Sequence, residues 1–588
     1  MTLTMTEKKL EIVIDTETSG KNPHTAQMLG GSWSNGVVSE WTTFPDLIQA
    51  RINGDFVITQ NGKYDRIVLG KLGIDFEIDW DTMIAEYVLH IDKKRNLEDM
   101  YERYFGIPKK SLLDLFNEAN KDKPRRSKLP EKWYETTYTP KGKVKHYGVS
   151  PDVLAQYAKE DVEATYKIYL KQKEEFKKYP DLYKWYTEVE IPVANILAKS
   201  ELKGVKLDLE KLAALTTEVE FQSTELHKQL MWLAGEEVNL NSPQQLQKVM
   251  YEKLQLPKLE ATKTGWSTKK PVLEKLKNRA FPRLLLKFNE RDDLLSKFLR
   301  PLPLLVDSNH RLHTTFNQAL TDTRRFSSEN PNLQNIPARS VIGKKIRECF
   351  VPEKGHKFLI ADYDQIELRL LAHFTEDPTL VSAFHNGEDI HQKTADLIGK
   401  KLGGEFPRSH GKLLNFSLIY GKTAFGFAKD WNCSVQEAEN IIETYFIQFP
   451  RVKEWMKDTI LQTKLRKSWG KSIAGLPLYI CAKGKDGEVM GDINSPVQWI
   501  REAAERCAVN YPIQSSSQDI IKKAMVEINN KYKSVYPVLF VHDEMVFELA
   551  EGDLKWCIDN DITDIMQNAW KLRVPLKVSW HIADCWEK

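Results

Sequence analysis

The sequence predicts an α/β protein with several domains. Its 588 residues correspond to three to five units at roughly 100–200 residues per domain. About the first 180 residues alternate short apolar runs with helical periodicity. From Leu182 the pattern is mainly helical, and strand signals return from Arg311 onward. We therefore place a domain boundary near residue 180.

The overall composition is that of a globular protein. Hydrophobic residues make up 41% of the chain and charged residues 28%. Lysine and arginine number 85 against 82 acidic residues, which gives a net charge of +3. This small excess does not identify a partner, because nucleic-acid affinity depends on local clusters of basic residues.

Several classes of protein are disfavoured. The six cysteines form no CxxC pair and no disulfide spacing, so we expect incidental thiols in a reducing compartment. The N-terminus lacks the apolar core of a signal peptide, and no run of 18 apolar residues is present. A soluble cytoplasmic protein without a membrane partner is expected.

Local patterns in the first part predict particular elements. Residues 10–14 are expected to form a strand that ends at Asp15, and residues 56–59 a strand leading into a helix near Tyr64. A basic loop is predicted over residues 121–147. That loop is either a solvated excursion or a contact for DNA, and the sequence leaves both interpretations open.

The first part also contains an ordered set of acidic residues. Asp15 and Glu17 are two apart on a strand, so their carboxylates face the same side. Asp65 follows in QNGKYD, and Asp161 lies four residues after Tyr157, on the same face of a helix. Carboxylates suit Mg²⁺, and two such ions about 4 Å apart support phosphodiester cleavage.

The second part is predicted to start with helices. Residues 182–230 are expected to be helical with a break at Gly204, and residues 246–299 are again mostly helical. Residues 358–361 predict a strand, which Asp362 follows, and a helix is expected to begin near Gln365. Residues 537–549 predict a β-hairpin with Asp543 and Glu544 at its turn.

One predicted helix carries a patterned face. Arg408, Lys412, Phe416 and Tyr420 are spaced by four, so they share one side of the helix. Two cations followed by two aromatic rings suit a triphosphate at one end and a stacked base at the other. Taken alone, a cation pair four residues apart is more often a solvated helix face, and an aromatic pair is more often part of the core. An acidic hairpin turn is likewise more often an ordinary turn.

Taken in order, the motifs resemble two known families. DxE after a strand, Asn61 with Asp65, and Tyr157 with Asp161 resemble the DnaQ-like proofreading exonucleases. The remainder resembles the family A DNA polymerases, the group of bacterial DNA polymerase I and its Klenow fragment. That resemblance is carried by NLNSPQQL, KTGWST, HTTFNQALTDTRRFSSENPNLQNIPAR, ADYDQIELR, REAAERCAVNYPIQ and VHDE.

The exonuclease resemblance implies a two-metal site in the first part. Asp15, Glu17, Asp65 and Asp161 would hold the metals, and Tyr157 would orient the attacking water. All five residues are present, so an active exonuclease is expected.

The polymerase resemblance implies a second two-metal site. Asp362 and Asp543 would bind two Mg²⁺ ions, for which Mn²⁺ could substitute. Glu544 would support these two ligands. Lys412 would contact the incoming phosphates and donate a proton to pyrophosphate. The other residues implied in nucleotide binding are Arg408, His391, Phe416, Tyr420, Gln365 and Glu367, the last as a block to a ribose 2′-hydroxyl.

The same resemblance implies contacts with primer–template DNA, partly in the minor groove, where A·T and G·C offer similar acceptors. The residues implied in these contacts are Arg325, Gln334, Asn335, Arg501, Asn510, Gln514 and His542.

The resemblance also implies the architecture and the partners. An RNase H-like exonuclease domain over residues 1–180 would precede a right-hand polymerase over 181–588. Within the latter we expect a thumb at about 200–310, a palm at about 311–370 and 496–588, and fingers at about 371–495. Expected partners are primer–template DNA, dNTPs and a processivity factor or replisome protein, with a monomeric chain.

The sequence departs from the family pattern at four places. Arg324 replaces a usual glycine, Asp364 a serine and Phe540 a glutamine, and Ser515–Ser517 replace a run of small residues. These changes leave the implied metal ligands in place. They bear on primer contacts and, for Asp364, on metal or triphosphate affinity.

Rival interpretations make different predictions. An exonuclease whose second part only binds DNA would lack Asp362, Lys412 or Asp543, and a scaffold would lack carboxylates in both parts. An RNA polymerase would not carry Glu367 at the sugar gate. No 5′-nuclease segment precedes Leu10, which favours a phage or mobile-element replicase over a host repair enzyme.

Overall fold

The computed structural model describes residues 9–52, 54–121, 124–129, 135–138, 144–147, 149–431, 433–558 and 561–587. These residues form two compact units. The first consists of Met1–Lys203, Thr315–Asn330 and Leu359–His581, and the second of Gly204–Thr314, Pro331–Phe358 and Ile582–Lys588.

A five-stranded mixed sheet organises the N-terminal part of the first unit. Across the sheet, the strands are Ser39–Thr42, Met28–Ser34, Glu11–Thr18, Phe56–Thr59 and Trp80–Asp81. The central strand pairs antiparallel with one neighbour and parallel with the other. It was expected to end at Asp15, but its pairing continues through Asp15 with Ser32 and Glu17 with Gly30. The predicted end was therefore too early.

Helices pack around this sheet. They are Pro45–Ile52, Gly62–Gly70, Thr82–Leu89, Leu97–Phe105, Leu112–Ala119 and Pro151–Phe176. The last helix begins where Ser150 accepts a hydrogen bond from Val153 N and proline occupies the first turn. Ser32 Oγ donates to Ala158 O at 2.8 Å, which fastens this helix to the sheet.

The predicted basic loop contains regular structure. Strands Glu135–Tyr138 and Val144–Tyr147 form an antiparallel hairpin inside it. The prediction of a continuous loop is therefore wrong for these segments. Residues 122–123, 130–134, 139–143 and 148, on which the predicted DNA contact of this loop partly falls, lie outside the described residues.

The chain leaves the N-terminal sheet through helical segments. These are helix Pro180–Trp185, the π-helical turn Tyr186–Glu190 and helix Ile191–Lys203. The predicted break at Gly204 is confirmed. Gly204 has a φ of 61°, and an added Cβ would lie 2.7 Å from Leu312 O.

The second unit is mainly helical. Helices Leu209–Ala234 and Ala280–Leu294 pack together, and a small sheet orders strands Arg311–Leu312, Val205–Leu207 and Phe350–Val351. Its further elements are Pro243–Gln247, Lys248–Lys253, Ala261–Thr262, Gly265–Trp266, Lys270–Lys275, Leu295–Leu299, Leu302–Leu304, Leu333–Asn335 and Val341–Arg347. The prediction that residues 246–299 are mostly helical is confirmed; the main exception is residues 254–269, which contain the short hairpin.

A four-stranded sheet carries the remainder of the first unit. Across this sheet, the strands are Pro537–Val541, Glu544–Ala550, His356–Tyr363 and Val578–Ala583. Its core includes Leu370, Ile520 and Phe547, each fully buried. Helix Gln498–Lys531, 34 residues long, crosses this part.

Further helices surround that sheet. They are Ile366–Thr375, Pro378–His385, Ile390–Leu402, Arg408–Ile419, Ala424–Trp431, Val435–Gln448, Pro450–Leu465, Glu551–Ile558 and Asp561–Asn568. Three further two-stranded antiparallel pairs are described in this unit: Thr315–Asn317 with Ser327–Glu329, Trp469–Lys471 with Pro477–Tyr479, and Cys481–Lys483 with Val489–Asp492. None of the described helices has the length and hydropathy needed to cross a membrane.

Candidate active sites

Three of the acidic residues in the first part converge. Carboxylate oxygens of Asp15, Glu17 and Asp161 all lie within 4.8 Å of one another. Asp15 and Glu17 share one side of the central strand, and Asp161 comes from helix Pro151–Phe176. This is a donor set of hard oxygens at a spacing that suits a divalent cation.

Asp65 reaches the same strand from helix Gly62–Gly70. Its Oδ1 accepts hydrogen bonds from Thr16 N at 2.8 Å and from Thr16 Oγ1 at 2.7 Å. Asn61, immediately before that helix, has a φ of 61°. Thr16 therefore fixes Asp65 beside the strand that bears Asp15 and Glu17, although Asp65 is not within the 4.8 Å group.

Burial raises the pKa of each of these four carboxyls, and mutual repulsion adds to the rise at Asp15 and Glu17, so their protonated forms are favoured. Burial raises the pKa of Asp15 well above its ordinary value, and the Asp65 carboxylate raises it further. Burial raises the pKa of Glu17 to about 8, with Asp161 as the next cause. Burial also raises the pKa of Asp65 to about 7 and that of Asp161 to about 6. Divalent cations would relieve this repulsion.

Lys109 lies beside two residues of this site. Its ammonium forms an ion pair with Asp161 Oδ1 and lies 4.5 Å from the centre of the Tyr157 ring. Tyr157 is 8% exposed, and burial raises its pKa well above the ordinary value. The hydroxyl of Tyr157 therefore stays protonated beside the carboxylates.

Asp362 and Asp543 are brought together by adjacent strands. Asp362 lies within strand His356–Tyr363, not after it as expected, because the strand runs two residues further. Tyr363 N donates to Asp543 O at 3.3 Å. Asp543 and His542 form the two-residue turn of the predicted hairpin, with a φ of 59° at His542. The hairpin is confirmed.

Glu544 has a different position from the predicted one. It is the first residue of strand Glu544–Ala550, pairs with Val541 and is buried. The expectation that Glu544 sits at the turn is therefore wrong, because the turn needs only His542 and Asp543. Its carboxylate is buried one residue from Asp543.

The helix Arg408–Ile419 is present as predicted. Arg408 Nε donates to Asp389 Oδ2 at 2.5 Å, and Lys412 Nζ lies 5.9 Å from the Phe416 ring centre. The rings of Phe416 and Tyr420 are nearly parallel, with centroids 6.2 Å apart. Cations therefore lie at one end of this face and aromatic rings at the other.

Glu367 links the helix after Asp362 to that aromatic end. It is 4% exposed, forms an ion pair with Arg325, and accepts a hydrogen bond from Tyr420 Oη at 3.0 Å. A buried carboxylate with two partners keeps a defined position. Glu367 therefore forms a fixed wall beside Tyr420.

His391 is buried against the same helix. Its Nδ1 lies 3.2 Å from Asn415 Nδ2, and its ring centroid lies 5.7 Å from that of Phe416. Burial, followed by the charge of Arg408, lowers the pKa of His391 to about 4. His391 is therefore neutral at neutral pH and would offer a phosphate a hydrogen bond, not a charge.

Gln365 and the residues implied in DNA contact have varied settings. Gln365 caps the helix at a φ of 54°, and its buried Oε1 has no hydrogen-bond partner among the described residues. Arg501 Nη1 donates to Ser495 O at 3.1 Å, and Asn510 is 8% exposed. Arg501, Asn510 and Gln514 share helix Gln498–Lys531. Gln334 and Asn335 lie in the second unit.

The departures from the family pattern have structural explanations. Asp364 accepts a hydrogen bond from Ser579 Oγ at 2.7 Å and lies 3.8 Å from Lys577 Nζ. Phe540 packs against Phe316 and Phe326, with ring centroids 5.1 and 5.3 Å away. Both side chains are thus engaged by their neighbours.

Arg324 is a buried cation at a backbone position that favours glycine. Its φ is 59°, its guanidinium lies 4.8 Å from the Tyr87 ring centre, and Nη2 donates to Pro477 O at 3.0 Å. In the serine run, Ser516 Oγ accepts from Ile473 N at 2.8 Å. These residues connect separate segments of the first unit.

Sequence reasoning missed two residues of the first site. Thr16 lies between Asp15 and Glu17, so the motif itself contained a signal for it. Lys109 carries no such signal, because it lies 52 residues before the Asp161 that it pairs with. Only the tertiary structure brings this cation to the carboxylates.

Known proteins match both parts of the chain. Residues 209–588 match the model of the family described as DNA polymerase family A, and residues 2–177 match the one described as 3'-5' exonuclease. DNA polymerase I of Geobacillus stearothermophilus is 40% identical over 410 residues, covering 68% of this chain and 45% of that protein. DNA polymerase I of Pseudomonas aeruginosa is 31% identical, covering 99% and 64%.

A solved structure shows the same fold. The POL domain of Pol1 from M. smegmatis, in complex with DNA primer-template and dNTP, superposes with a TM-score of 0.81 at 27% identity. The match covers 98% of this chain and 95% of that one. The chain spans about half the length of several curated relatives that it matches. The predicted fold class is confirmed, and the protein belongs to DNA polymerase family A, with a 3'-5' exonuclease domain in its N-terminal part.

Proposed function

We propose that the chain is a template-directed DNA polymerase that adds dNTPs to a primer 3′ end and removes mispaired ends with its own 3′–5′ exonuclease. The observation that carries this proposal is the placement of Asp362 and Asp543 side by side through the Tyr363 N to Asp543 O hydrogen bond. The matched families and the DNA-bound neighbour support it.

Divalent metal ions, Mg²⁺ with Mn²⁺ as a substitute, fit both donor sets because carboxylate oxygens are their preferred ligands. Asp362 and Asp543 would hold two ions in the polymerase site, and Asp15, Glu17, Asp65 and Asp161 two more in the exonuclease site. Bound there, the ions would lower the pKa of the attacking oxygen and neutralise charge on the leaving oxygen.

The chain's own residues would position the reactants for polymerisation. The primer 3′-hydroxyl attacks the α-phosphorus of the dNTP, and pyrophosphate leaves. Arg408, Lys412 and neutral His391 would bind the phosphates, and Lys412 would donate a proton to the pyrophosphate. Glu544 would support the metal-bound carboxylates from its buried position.

The aromatic end of the same helix would hold the base and sugar. Phe416 and Tyr420 would stack near the nascent pair, and Gln365 would offer its buried oxygen close to the nucleotide. Glu367, fixed by Arg325 and Tyr420, would exclude a ribose 2′-hydroxyl. The fixed position of its carboxylate supports this proposed role.

The exonuclease site would hydrolyse the last phosphodiester of a frayed strand. The protonated hydroxyl of Tyr157 would accept or donate a hydrogen bond to orient the attacking water. Primer and template would be held by Arg325, Gln334, Asn335, Arg501, Asn510, Gln514 and His542. The predicted domain ranges, a processivity partner, a monomeric state and a phage or mobile-element origin remain predictions.

The test is a double dissociation. With Mg²⁺, dNTPs and a primer–template, Asp543→Ala should lose primer extension by at least roughly 1000-fold. The same protein should still shorten a single-stranded 3′ end. The Asp15→Ala/Glu17→Ala protein should extend primers and lose the shortening activity.

The outcomes separate the proposals. Extension by Asp543→Ala at the native rate would contradict the polymerase site, and shortening by Asp15→Ala/Glu17→Ala would contradict the exonuclease site. Asp364→Ala is a matched control for the loss of a carboxylate near Asp362, since its own oxygen is bonded to Ser579. It should keep both activities.

A further inference from the structure

Lys109 lies at the proposed exonuclease site but has no role in the mechanism proposed for it. Its ammonium pairs with Asp161, and the two side chains are only 8% and 10% exposed. The same ammonium lies 4.5 Å from the centre of the Tyr157 ring. A single lysine is thus held between a proposed metal ligand and the residue proposed to orient water.

The charge balance of the site indicates what this lysine is for. Without metal, one ammonium partly neutralises Asp15, Glu17, Asp65 and Asp161. Two divalent ions would cancel the four carboxylates and release Lys109 from its partner. The remaining positive charge matches the single negative charge of a phosphodiester, and more negative charge develops there during hydrolysis.

The surroundings of Lys109 are suited to a nucleic-acid strand. A cavity of about 320 Å³ is lined by Lys109, Tyr157 and Tyr101, with the further cations Lys110 and Lys167. Glu160 and Glu163 also line it, so the cavity lining contains three lysines and two glutamates. Aromatic faces with interspersed lysines bind single strands by stacking and phosphate contact.

We propose that Lys109 alternates between two partners: Asp161 while the metal ions are absent, and the phosphate next to the scissile bond once they are bound. This inference rests on the proposed exonuclease function. The four-carbon stem of lysine allows the ammonium to move between partners, and the face of Tyr157 attracts it in both positions.

Metal binding tests the first half of the proposal. In an Asp362→Ala/Asp543→Ala background, which removes the polymerase ligands, Mn²⁺ binding is measured by calorimetry without DNA. Lys109→Met should bind Mn²⁺ about tenfold more tightly, because the ions no longer compete with an ammonium for Asp161. A lysine that only supports the fold would give weaker binding when removed, and that result would overturn the proposal.

Hydrolysis tests the second half. At saturating Mg²⁺, single-turnover shortening of a single-stranded oligonucleotide should be about 100-fold slower in Lys109→Met. Lys109→Arg should recover part of the loss because it keeps the charge. An unchanged rate in Lys109→Met would overturn the phosphate contact.

Matched controls keep these results interpretable. Lys177→Met removes an exposed lysine that pairs with Glu174 on the same domain, and it should match the native chain in both assays. Primer extension by Lys109→Met should equal the native rate, and its Mn²⁺ binding should persist, which together show that both parts of the variant are folded. A native chain without exonuclease activity would refute the proposed function itself, whereas an active native chain equalled by Lys109→Met would refute only the role of Lys109.

Discussion

The two carboxylate sites of this chain are built in opposite ways. In the proposed exonuclease site, Glu17, Asp65 and Asp161 are at most 7% exposed, Asp15 is half-buried, and the four residues come from three separate elements. In the proposed polymerase site, Asp362 and Asp543 are both half-buried and lie on adjacent parts of one sheet. One site is a dense buried cluster, and the other an open pair.

This difference concerns where the balancing charge comes from. The buried cluster includes its own cation, Lys109, and otherwise favours protons on its carboxyls. The open pair has Arg408 and Lys412 on a separate helix, where a triphosphate would meet them. The proposed exonuclease site therefore keeps its repelling carboxylates and one cation together, whereas the proposed polymerase site has its cations on a separate helix, where they would balance an incoming triphosphate.

The largest expected effect is that of Glu17→Gln, which should change both the exonuclease activity and the stability of the protein. Glu17→Gln should lower exonuclease activity at least roughly 1000-fold. It should also raise the melting temperature of the metal-free protein at pH 8 by about 2 °C, because one repelling carboxylate is gone. Thermal melts in EDTA measure this. Asp362→Asn is the counterpart: it should abolish extension without raising the melting temperature, and an equal rise would end the distinction.

The choice between ribonucleotides and deoxynucleotides should depend on the fixed position of Glu367 in the proposed polymerase site. Glu367→Ala should raise incorporation of ribonucleotides relative to deoxynucleotides by about 100-fold, because the wall beside Tyr420 is removed. Competition assays with matched rNTP and dNTP pairs measure the ratio. Tyr420→Phe keeps the ring and loses only the hydrogen bond to Glu367, so it should change the ratio far less. An unaltered ratio in Glu367→Ala would rule out the gate.

The pH dependence of stability should come from the buried cluster. The folded-state pKa values of Glu17, Asp65 and Asp161 are raised to about 8, 7 and 6. A raised carboxyl pKa gives stability that is present at low pH and lost as the pH rises through the folded value. Between pH 6 and 8 in EDTA, the melting temperature should therefore fall by about 2–4 °C.

Saturating Mg²⁺ should cancel this fall, because the ions bind only the charged folded site. Glu17→Gln should reduce the slope in EDTA, since it removes a carboxyl whose pKa is raised to about 8, within this pH range. A slope that is identical in Glu17→Gln and in the native chain would assign the pH effect to other groups.

The smallest effect is expected at Asp364. Asp364→Ser restores the residue usual in the family, yet extension and its Mg²⁺ dependence should change less than about twofold, as for most substitutions away from a functional feature. The reason is that Asp364 is bonded to Ser579 and lies near Lys577. Titration of extension rate with Mg²⁺ tests this, and a large shift in the midpoint would place Asp364 in the polymerase site.

Sequence patterns over short stretches determined much of the secondary structure of this protein. The helical face from Arg408, the hairpin around Asp543 and the break at Gly204 follow from periodicity and turn chemistry, and the structure confirms them. Order and spacing of the motifs predicted the family and the order of its two domains, which the comparisons confirm. These features depend on residues close in sequence, so the sequence alone expresses them.

Tertiary packing decided the remainder. The pairing of Lys109 with Asp161, the bond from Asp364 to Ser579 and the packing of Phe540 against Phe316 join residues far apart in the chain. No spacing rule connects such residues, because their distance depends on how whole elements pack. The sequence supplied the carboxylates of both sites, and the fold decided how deeply each set is buried and placed Lys109 beside the first set.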